Sequence, residues 1–273
     1  MKSIERKSPS KINIGLYIKE KRKDGFHNIE TIFYPIKLSD TIRILESTEK
    51  SFTSNDKELE QNESNLILKA KNLMESKIGN RLKCSFHLEK KIPIGAGLGG
   101  GSSNAATTIF LINDFFNLHL SHDTIKAIAV ELGSDVPFFL NPVPSIGTSR
   151  GEVLTPVDIL INDPILLVNP GINVSTKWAY ENVIPNNDNS ILNLINQKPF
   201  EDYVKSLTND FEKSVFTKYP LIKVIKEYLI SEGAYYASMS GSGSSVFGMF
   251  KDINQVNKAC AELSKKYFTF LNI

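Results

Sequence analysis

The chain places five of its 16 glycines in one short segment whose residue types suit a phosphate-binding loop. The segment consists of Pro93, Ile94, Gly95, Ala96, Gly97, Leu98, Gly99, Gly100, Gly101, Ser102 and Ser103. Because glycine has no Cβ, its backbone can adopt left-handed torsion angles, approach a ligand closely and direct successive N–H groups at an anion. Apolar residues then recur every three or four positions, which predicts a helix whose N-terminus also attracts negative charge. We predict that this glycine loop binds the phosphates of a nucleotide.

The sequence disfavours three other interpretations of the glycine loop. A flexible linker is disfavoured because the strand-like segment Cys84–Ile92 precedes the loop and an apolar helix pattern follows it. Gly95, Gly97 and Gly100 have the G-x-G-x-x-G spacing of a dinucleotide fold, but the acidic residue at the required distance, Asp114, falls inside the predicted helix. No Lys-Ser or Lys-Thr pair follows the glycines, so a Walker-type P-loop is excluded.

Two charged residues could carry out phosphoryl transfer, which needs charge stabilisation and a group that takes the proton of the attacking hydroxyl. Asp135 follows a predicted helix in an irregular turn and would accept or relay that proton. Lys11 would lower the pKa of the aspartate by proximity and neutralise phosphate charge. Asn13 shares a strand face with Lys11 and could hydrogen-bond the substrate. The alternatives are an ordinary ion pair, a capping role for Asp135 and a solvated polar face for Asn13.

Alternating and helical patterns predict the elements that position these residues. Residues 11–18 alternate as a strand, and the Asp24-Gly25 pair predicts a hairpin turn into a second strand. Residues 65–76 and 121–133 have helical spacing, with Ser121 as a cap and Gly133 as a stop. The second half is predicted to contain two strands, over 165–168 and 246–250, and three helices. The first helix is capped by Ser175 or Thr176, and the other two cover 220–233 and 254–267. The class is mixed α and β, with domains predicted over 1–155 and 156–273.

The composition is that of an ordinary compact, soluble globular protein. The 273 residues are 41% hydrophobic and 23% charged, and a formal net charge of +2 gives no indication of a nucleic-acid or membrane partner. The two cysteines and four histidines have no metal-ligand spacing and form no disulfide framework, which favours a reducing compartment. The N-terminus is charged, and no uncharged run approaches the ~18 residues that cross a bilayer. A cytoplasmic location is therefore expected.

Three motifs in a fixed order resemble those of the GHMP small-molecule kinases. They are the glycine loop, the Ser134-Asp135 turn and a second glycine-rich loop over 239–245, and the resemblance spans nearly the whole chain. It implies an α+β, two-domain GHMP kinase fold. The N-terminal domain would be similar to ribosomal protein S5 domain 2, the C-terminal domain would be ferredoxin-like, and the active site would lie in the cleft between them. The resemblance also implies ATP as co-substrate, with Mg²⁺ expected because kinases use it to bridge phosphate oxygens.

Further motifs are similar to those of one branch of these kinases, which phosphorylates the 2-hydroxyl of 4-diphosphocytidyl-2-C-methyl-D-erythritol in the non-mevalonate isoprenoid pathway. They are the opening 9–16, the Asp24-Gly25-Phe26-His27 turn and the three glycines before Ser102. The resemblance implies that Phe26 and Tyr180 stack on the cytosine ring and that His27 reads the base edge. It also implies that Thr176 contacts the substrate and that Gly241 and Ser242 form a wall of the site.

The chain departs from this branch at two positions. A tyrosine is usual where Phe26 stands, so the ring face is kept and the hydroxyl is lost. Arg150 stands where a smaller residue is expected, which predicts a different loop shape there. Asn209, Asp210 and Glu212 match a recurring stretch of the family that is interpreted as structural.

Two alternative functions remain open from sequence. Another GHMP kinase, acting on homoserine, mevalonate or a sugar, would need no base-stacking clamp. A nucleotide-binding or RNA-binding module that keeps the fold without catalysis would need neither Lys11 nor Asp135. The favoured interpretation is a cytoplasmic monomer or homodimer whose partners are ATP and the cytidyl substrate, without nucleic acid or membrane.

Overall fold

The computed structural model describes residues 2–48, 52–62, 65–188, 190–195 and 199–273. The first half contains β1 (Ser3–Lys21), β2 (His27–Glu46), β3 (Phe52–Ser54), α1 (Lys57–Glu60), α2 (Leu66–Ile78), β4 (Cys84–Glu89), α3 (Gly100–Phe115), α4 (His122–Leu132), β5 (Ser145–Thr148) and β6 (Val153–Pro156). The second half contains β7 (Ile165–Asn169), α5 (Thr176–Glu181), α6 (Ile191–Ile195), α7 (Phe200–Tyr203), α8 (Glu212–Lys218), α9 (Pro220–Ser231), β8 (Ala234–Met239), β9 (Val246–Phe250), α10 (Ile253–Leu263) and β10 (Phe268–Asn272). Short 3₁₀ helices cover Pro137–Leu140 and Val204–Ser206.

The chain divides into two compact units, and unit 1 comprises Met1–Ser10, Lys37–Ile92 and Gly99–Pro142. In this unit β4 pairs antiparallel with the second half of β2, from Thr41 opposite Glu89 to Glu46 opposite Cys84, and parallel with β3. Alternate residues of β4 are buried, as expected for a strand with one face on a core. Helices α2, α3 and α4 pack together. Helices α2 and α4 bury one face each, whereas α3 is buried on all sides over residues 103–109. This packing fixes the first turn of α3, where the glycine loop ends.

Unit 2 comprises Lys11–Ile36, Pro93–Leu98 and Val143–Ile273. Its antiparallel four-stranded sheet has the order β10-β7-β9-β8. The two central strands, β7 and β9, are buried along their whole length and read as continuous apolar runs. Helices α8, α9 and α10 contribute Val215, Ile222, Ile225, Val256 and Ala259 to one core with this sheet. In the same unit β5 pairs antiparallel with the first half of β2 and with β6.

Most predicted elements are present with shifted ends. Ser121 caps α4 by accepting from the Thr124 N–H, and Ser175 rather than Thr176 caps α5. Helix α3 begins at Gly100, three residues before the predicted start, so Gly100–Ser103 form its first turn. Helix α10 ends at Leu263, and the short strand β10 that follows it was not predicted.

The interleaved units do not correspond to one cut in the chain. The predicted boundary between 1–155 and 156–273 stays a prediction. No helix in the described part of the chain combines the length and apolar character that crossing a bilayer requires.

Candidate active site

The first half of the glycine loop packs against the second glycine-rich loop within unit 2. A Cβ on Gly97, which has a φ of +76°, would lie 1.9 Å from the Ser240 carbonyl oxygen, so no larger residue fits there. The Ser240 hydroxyl donates to the Gly97 carbonyl at 2.9 Å, and the Ser245 N–H donates to the Ala96 carbonyl at 3.2 Å. Two loops that are more than 140 residues apart in sequence therefore share one backbone contact, with their glycines at the closest approach.

Lys11 and Asn13 lie on β1 beside this contact. The Lys11 ammonium is buried and donates to the Gly97 carbonyl at 3.1 Å and to the Asn13 side-chain oxygen. The Lys11 N–H donates to the Leu98 carbonyl at 3.0 Å, so backbone and side chain both hold the loop. The Asn13 amide donates to the Thr31 hydroxyl at 3.0 Å. The prediction that Lys11 and Asn13 share a strand face is confirmed, and the positive charge lies at the glycine loop.

A buried asparagine holds the second glycine-rich loop in shape. The Asn209 amide donates to the carbonyls of Met239 at 2.7 Å and Gly241 at 2.8 Å. Gly241 has a φ of +57°, and a Cβ there would lie 3.2 Å from the Gly97 carbonyl oxygen and 3.3 Å from the Asn13 side-chain oxygen. Asn209 therefore acts as a tether for residues 239–241, which agrees with the structural role interpreted from sequence.

The predicted substrate contacts Thr176, Ser242, Tyr180 and His27 are connected through α5. The hydroxyls of Thr176 and Ser242 are 3.0 Å apart. One helical turn later, the Tyr180 ring stacks on the His27 ring with centroids 5.1 Å apart and an interplanar angle of 22°. Burial, and secondarily the charge of Lys21, lowers the pKa of His27. A neutral imidazole can present one donor and one acceptor to a ligand.

Phe26 lies on the turn before β2. Its ring is 51% exposed, and the Arg150 guanidinium lies 4.7 Å from the ring centroid. The Arg150 N–H donates to the Glu152 carboxylate at 2.8 Å, which fixes the backbone of this loop. The ring stacked on Tyr180 is that of His27. The stacking of Phe26 and Tyr180 on a cytosine ring stays a prediction. The arginine noted as a departure from the family pattern thus has a specific contact.

The remaining predicted residues belong to unit 1. Gly99, with a φ of +69°, precedes α3, and Ser102 and Ser103 lie in the first helical turn. Ser103 is buried and accepts a hydrogen bond from the Ser8 hydroxyl at 2.8 Å. Asp135 is half-buried in the turn between α4 and the 3₁₀ helix Pro137–Leu140. Unit 1 therefore holds a helix N-terminus suited to an anion and a half-buried carboxylate.

The part of the chain that the structure describes has no group of three or more His, Cys, Asp or Glu side chains that could hold a metal ion. A cage made of protein ligands is thus not found among these residues.

Comparisons with known proteins identify the relatives of this chain. The family model "GHMP kinases N terminal domain" matches residues 65–141, and "GHMP kinases C terminal" matches residues 191–269. The 4-diphosphocytidyl-2-C-methyl-D-erythritol kinase of Cytophaga hutchinsonii is 45% identical over 244 residues, which cover 88% of this chain and 90% of that protein. The protein of the same name from Bacteroides fragilis is 42% identical over 255 residues, covering 91% of this chain and 93% of that protein.

Solved structures give the same pattern. A crystal structure of 4-(cytidine 5'-diphospho)-2C-methyl-D-erythritol kinase is 29% identical, covers 98% of each chain and superposes with a TM-score of 0.82. The homoserine kinase from Cytophaga hutchinsonii superposes with a TM-score of 0.77 at 17% identity, covering 100% of this chain and 95% of that one. At that identity the second likeness concerns the fold alone.

Proposed function

This chain belongs to the GHMP kinases, and from that membership and its 45% identical relative we propose that it transfers the γ-phosphoryl group of ATP to the 2-hydroxyl of 4-diphosphocytidyl-2-C-methyl-D-erythritol. This reaction belongs to the non-mevalonate pathway to isoprenoid precursors. The two-domain GHMP kinase fold predicted from sequence is confirmed. The proposal depends most on one observation, the identity of more than 40% with proteins of this name over about nine tenths of both chains.

For the chemical step, we propose Asp135 as the group that accepts the proton of the 2-hydroxyl. As the hydroxyl oxygen bonds to the γ-phosphorus, the bond from that phosphorus to the bridging oxygen breaks and ADP leaves. Removing the proton raises the nucleophilicity of the oxygen when it is needed. Asp135 lies in a turn and is half-buried, which suits a carboxylate that must meet a substrate.

We propose that Lys11 and the glycine loop stabilise the charge that moves during transfer. The Lys11 ammonium is held by the Gly97 carbonyl and the Asn13 side chain, so its position is fixed before the substrate binds. The loop Pro93–Ser103 would surround the triphosphate with N–H groups, and Ser102 and Ser103 open the helix that follows. A preorganised positive charge loses little energy to reorganisation when the phosphoryl group moves.

Mg²⁺ is proposed to enter with ATP. When bound, it would neutralise the negative charge of the phosphates. The described residues hold no cluster of three ligating side chains, so phosphate oxygens and water would supply most of its ligands. Monomeric or homodimeric assembly, the absence of nucleic-acid and membrane partners, and a cytoplasmic location stay predictions.

The cytidyl group is proposed to bind at the aromatic residues of unit 2. Tyr180 and His27 form a stacked pair, Phe26 exposes half of its ring, and Thr176 and Ser242 present hydroxyls. Flat apolar faces beside polar groups suit a nucleobase. A kinase for homoserine or mevalonate, whose substrates have no aromatic ring, would gain nothing from these faces.

A competition assay tests the proposed function. ATP consumption is measured with 4-diphosphocytidyl-2-C-methyl-D-erythritol, homoserine and mevalonate, singly and in mixtures. We expect turnover with the cytidyl substrate alone, and phosphorus NMR of the product should place the new phosphate on the 2-hydroxyl. Preferential turnover of homoserine or mevalonate would overturn the substrate assignment. ATP binding without turnover of any alcohol would overturn the assignment as an enzyme.

A further inference from the structure

The carboxylate of Asp40 is a fully buried acceptor in unit 1 with four donors. One oxygen accepts from the N–H groups of Lys91 at 2.7 Å and Ile92 at 2.8 Å. The other oxygen accepts from the Lys90 ammonium at 2.7 Å and from the Asn104 amide at 3.0 Å. A buried carboxylate is costly unless its oxygens are satisfied, and these four bonds satisfy both.

The donors to Asp40 come from both sides of the glycine loop. Ile92 is the residue directly before Pro93, and Asn104 is the residue directly after Ser103. These two partners lie 52 and 64 residues from Asp40 in sequence. One carboxylate in the second half of β2 therefore holds the chain where the loop begins and where it ends.

The end of the loop has a second support from β1. The Ser8 hydroxyl donates to the Ser103 hydroxyl at 2.8 Å and accepts from the Asn104 amide at 2.9 Å. Ser8 and Ser103 are completely buried. A Cβ on Gly100 would lie 3.3 Å from the Lys90 ammonium nitrogen, so the first helical turn packs directly on the same group.

The hydrogen bonds around Asp40 indicate that this network serves to fix the position of the loop rather than to add stability. Burial lowers the pKa of Lys90, and the neighbouring Asp40 carboxylate opposes that shift. The attraction between the two charges therefore serves to offset the cost of burying them, a cost that apolar side chains at these positions would not have. Directional bonds to a backbone N–H and to a side-chain amide fix positions in a way that apolar contacts do not. Fixed ends restrict the directions in which the loop N–H groups can point.

We propose that Asp40 is a positioning residue for phosphoryl transfer: it fixes the start and the end of the glycine loop and thereby holds the loop N–H groups at the spacing of the ATP phosphates. This inference rests on the proposed function, because it assumes that the loop binds ATP. It concerns a residue that makes no contact with ATP in the proposed site and acts through the loop.

The first test is Asp40→Asn, which keeps the shape of the side chain and places an NH₂ group among N–H donors. We expect the KM for ATP to rise about tenfold or more, because small displacements of binding groups have large effects, while the KM for the cytidyl substrate stays within about twofold. The matched control is Glu75→Gln in the same unit. The Glu75 carboxylate accepts from the Leu82 N–H at 2.9 Å and lies 3.9 Å from the buried Lys71 ammonium. We expect Glu75→Gln to lower the melting temperature without raising the KM for ATP relative to the KM for the cytidyl substrate.

A gentler pair of variants covers the case in which Asp40→Asn fails to fold. Ser8→Ala removes the support of Ser103 and Asn104. Ser10→Ala, two residues along the same strand, removes an equally buried hydroxyl that donates to the Leu38 carbonyl at 2.7 Å. Of these two variants, we expect only Ser8→Ala to raise the KM for ATP, by about threefold or more, because it loses its hydrogen bonds to both Ser103 and Asn104.

The outcomes separate this inference from the proposed function. Equal changes in both KM values, or equal behaviour of Ser8→Ala and Ser10→Ala, would overturn the positioning role while wild-type kinase activity stands. Absence of wild-type activity with ATP would overturn the proposed function itself, and it would be seen before any variant is made.

Discussion

Gly97 shows how strictly one position can be determined by packing. Its φ of +76° disfavours any side chain, and the Ser240 carbonyl oxygen, 1.9 Å from a virtual Cβ, excludes one. Gly79 provides a comparison, because its φ of +72° is similar and a Cβ there would meet nothing within 4 Å. The two positions separate the cost of backbone conformation from the cost of a steric clash.

We predict that Gly97→Ala is much more damaging than Gly79→Ala. Gly79→Ala should cost about 1–2 kcal/mol of stability, the penalty for an L-residue in the left-handed region. Gly97→Ala adds a clash that must displace one of two loops, so we expect a further loss of about 1–3 kcal/mol and a raised KM for ATP. Thermal unfolding and steady-state kinetics of both variants provide the comparison. Similar behaviour would show that the loops separate in solution.

Asp135→Asn tests the proposed proton acceptor. The amide cannot accept the hydroxyl proton, so we predict a loss in kcat of about 10²- to 10⁴-fold. The dissociation constant for ATP should be unchanged in equilibrium binding, since Asp135 is not proposed to hold the nucleotide. Asp123→Asn, at an exposed position in the first turn of α4, is the matched control. A kcat close to wild type in the Asp135 variant would remove this residue from the mechanism.

The lowered pKa of His27 predicts that the KM for the cytidyl substrate, but not the KM for ATP, depends on pH. Its pKa lies below the ordinary value of about 6.5, so the ring is neutral at pH 7 and gains a proton only at lower pH. If neutral His27 reads the base edge, the KM for the cytidyl substrate is constant above about pH 6.5 and rises below it, whereas the KM for ATP does not follow this change. His27→Gln should have a raised but flat KM over that range. His87→Gln, at an exposed histidine on β4, should keep the wild-type profile.

At the scale of elements, the turn between β1 and β2 presents an exposed aromatic ring under a cation. The Phe26 ring has Arg150 4.7 Å from its centroid, and Glu152 holds the Arg150 backbone. The Arg22 guanidinium donates to the Ser149 hydroxyl at 2.7 Å, which joins the turn to the same loop. The turn and the loop that carries Arg150 therefore form one supported platform.

We predict graded effects from two substitutions in this platform. Phe26→Ala should raise the KM for the cytidyl substrate about tenfold or more, because base–aromatic stacking is worth about 1–3 kcal/mol. Arg150→Ala leaves the Phe26 ring in place and removes a cation–π contact of about 0.5–1 kcal/mol. We therefore expect the KM for the cytidyl substrate to change by about two- to fivefold. The KM for ATP should not change in either case. Leu160→Ala, at another exposed apolar residue, controls for surface effects. Equal rises in both KM values would indicate misfolding.

The sequence predicted elements well where one strong local signal marked them. Ser121 and Gly133 bound α4, and the apolar run of β9 was predicted with its observed ends. The start of α3 was predicted too late because Gly100 and Gly101 have low helix propensity and are helical only through packing. Strand β10 was missed because its short half-buried segment has no strict alternation and is defined by its pairing with β7.

The sequence predicted those parts of the candidate site in which the type of residue by itself indicates a chemical role. The glycine loop, Lys11 and Asn13 lie together as expected. Asp40 could not be found from sequence, because an aspartate 52 residues from the loop has no local pattern that connects it to Ile92. The stacking of His27 on Tyr180 depends on how a turn meets a helix 153 positions away, which spacing along the chain does not encode.

At the scale of the whole molecule, fold and substrate are determined by different parts of the chain. The homoserine kinase of Cytophaga hutchinsonii shares the architecture with a TM-score of 0.77 at 17% identity. An architecture shared at so low an identity does not select a substrate, because function depends on the site placed on a fold. We propose that a few aromatic and hydroxyl side chains determine the choice of substrate, and changes limited to those residues should then alter specificity without altering architecture.

The interleaving of the two units limits how this enzyme can be divided or recombined. Unit 2 takes its parts from Lys11–Ile36, Pro93–Leu98 and Val143–Ile273. A polypeptide starting at residue 156 would lack Leu16, Ile18 and Ile29, so the core residues that pack against them would be exposed. Such a fragment should aggregate or give a collapsed, poorly dispersed NMR spectrum. In a chimaera joined at residue 156 with a distant homologue, core residues from the two parents would pack against each other without matching. We therefore expect folded chimaeras only when all three segments of unit 2 are exchanged together.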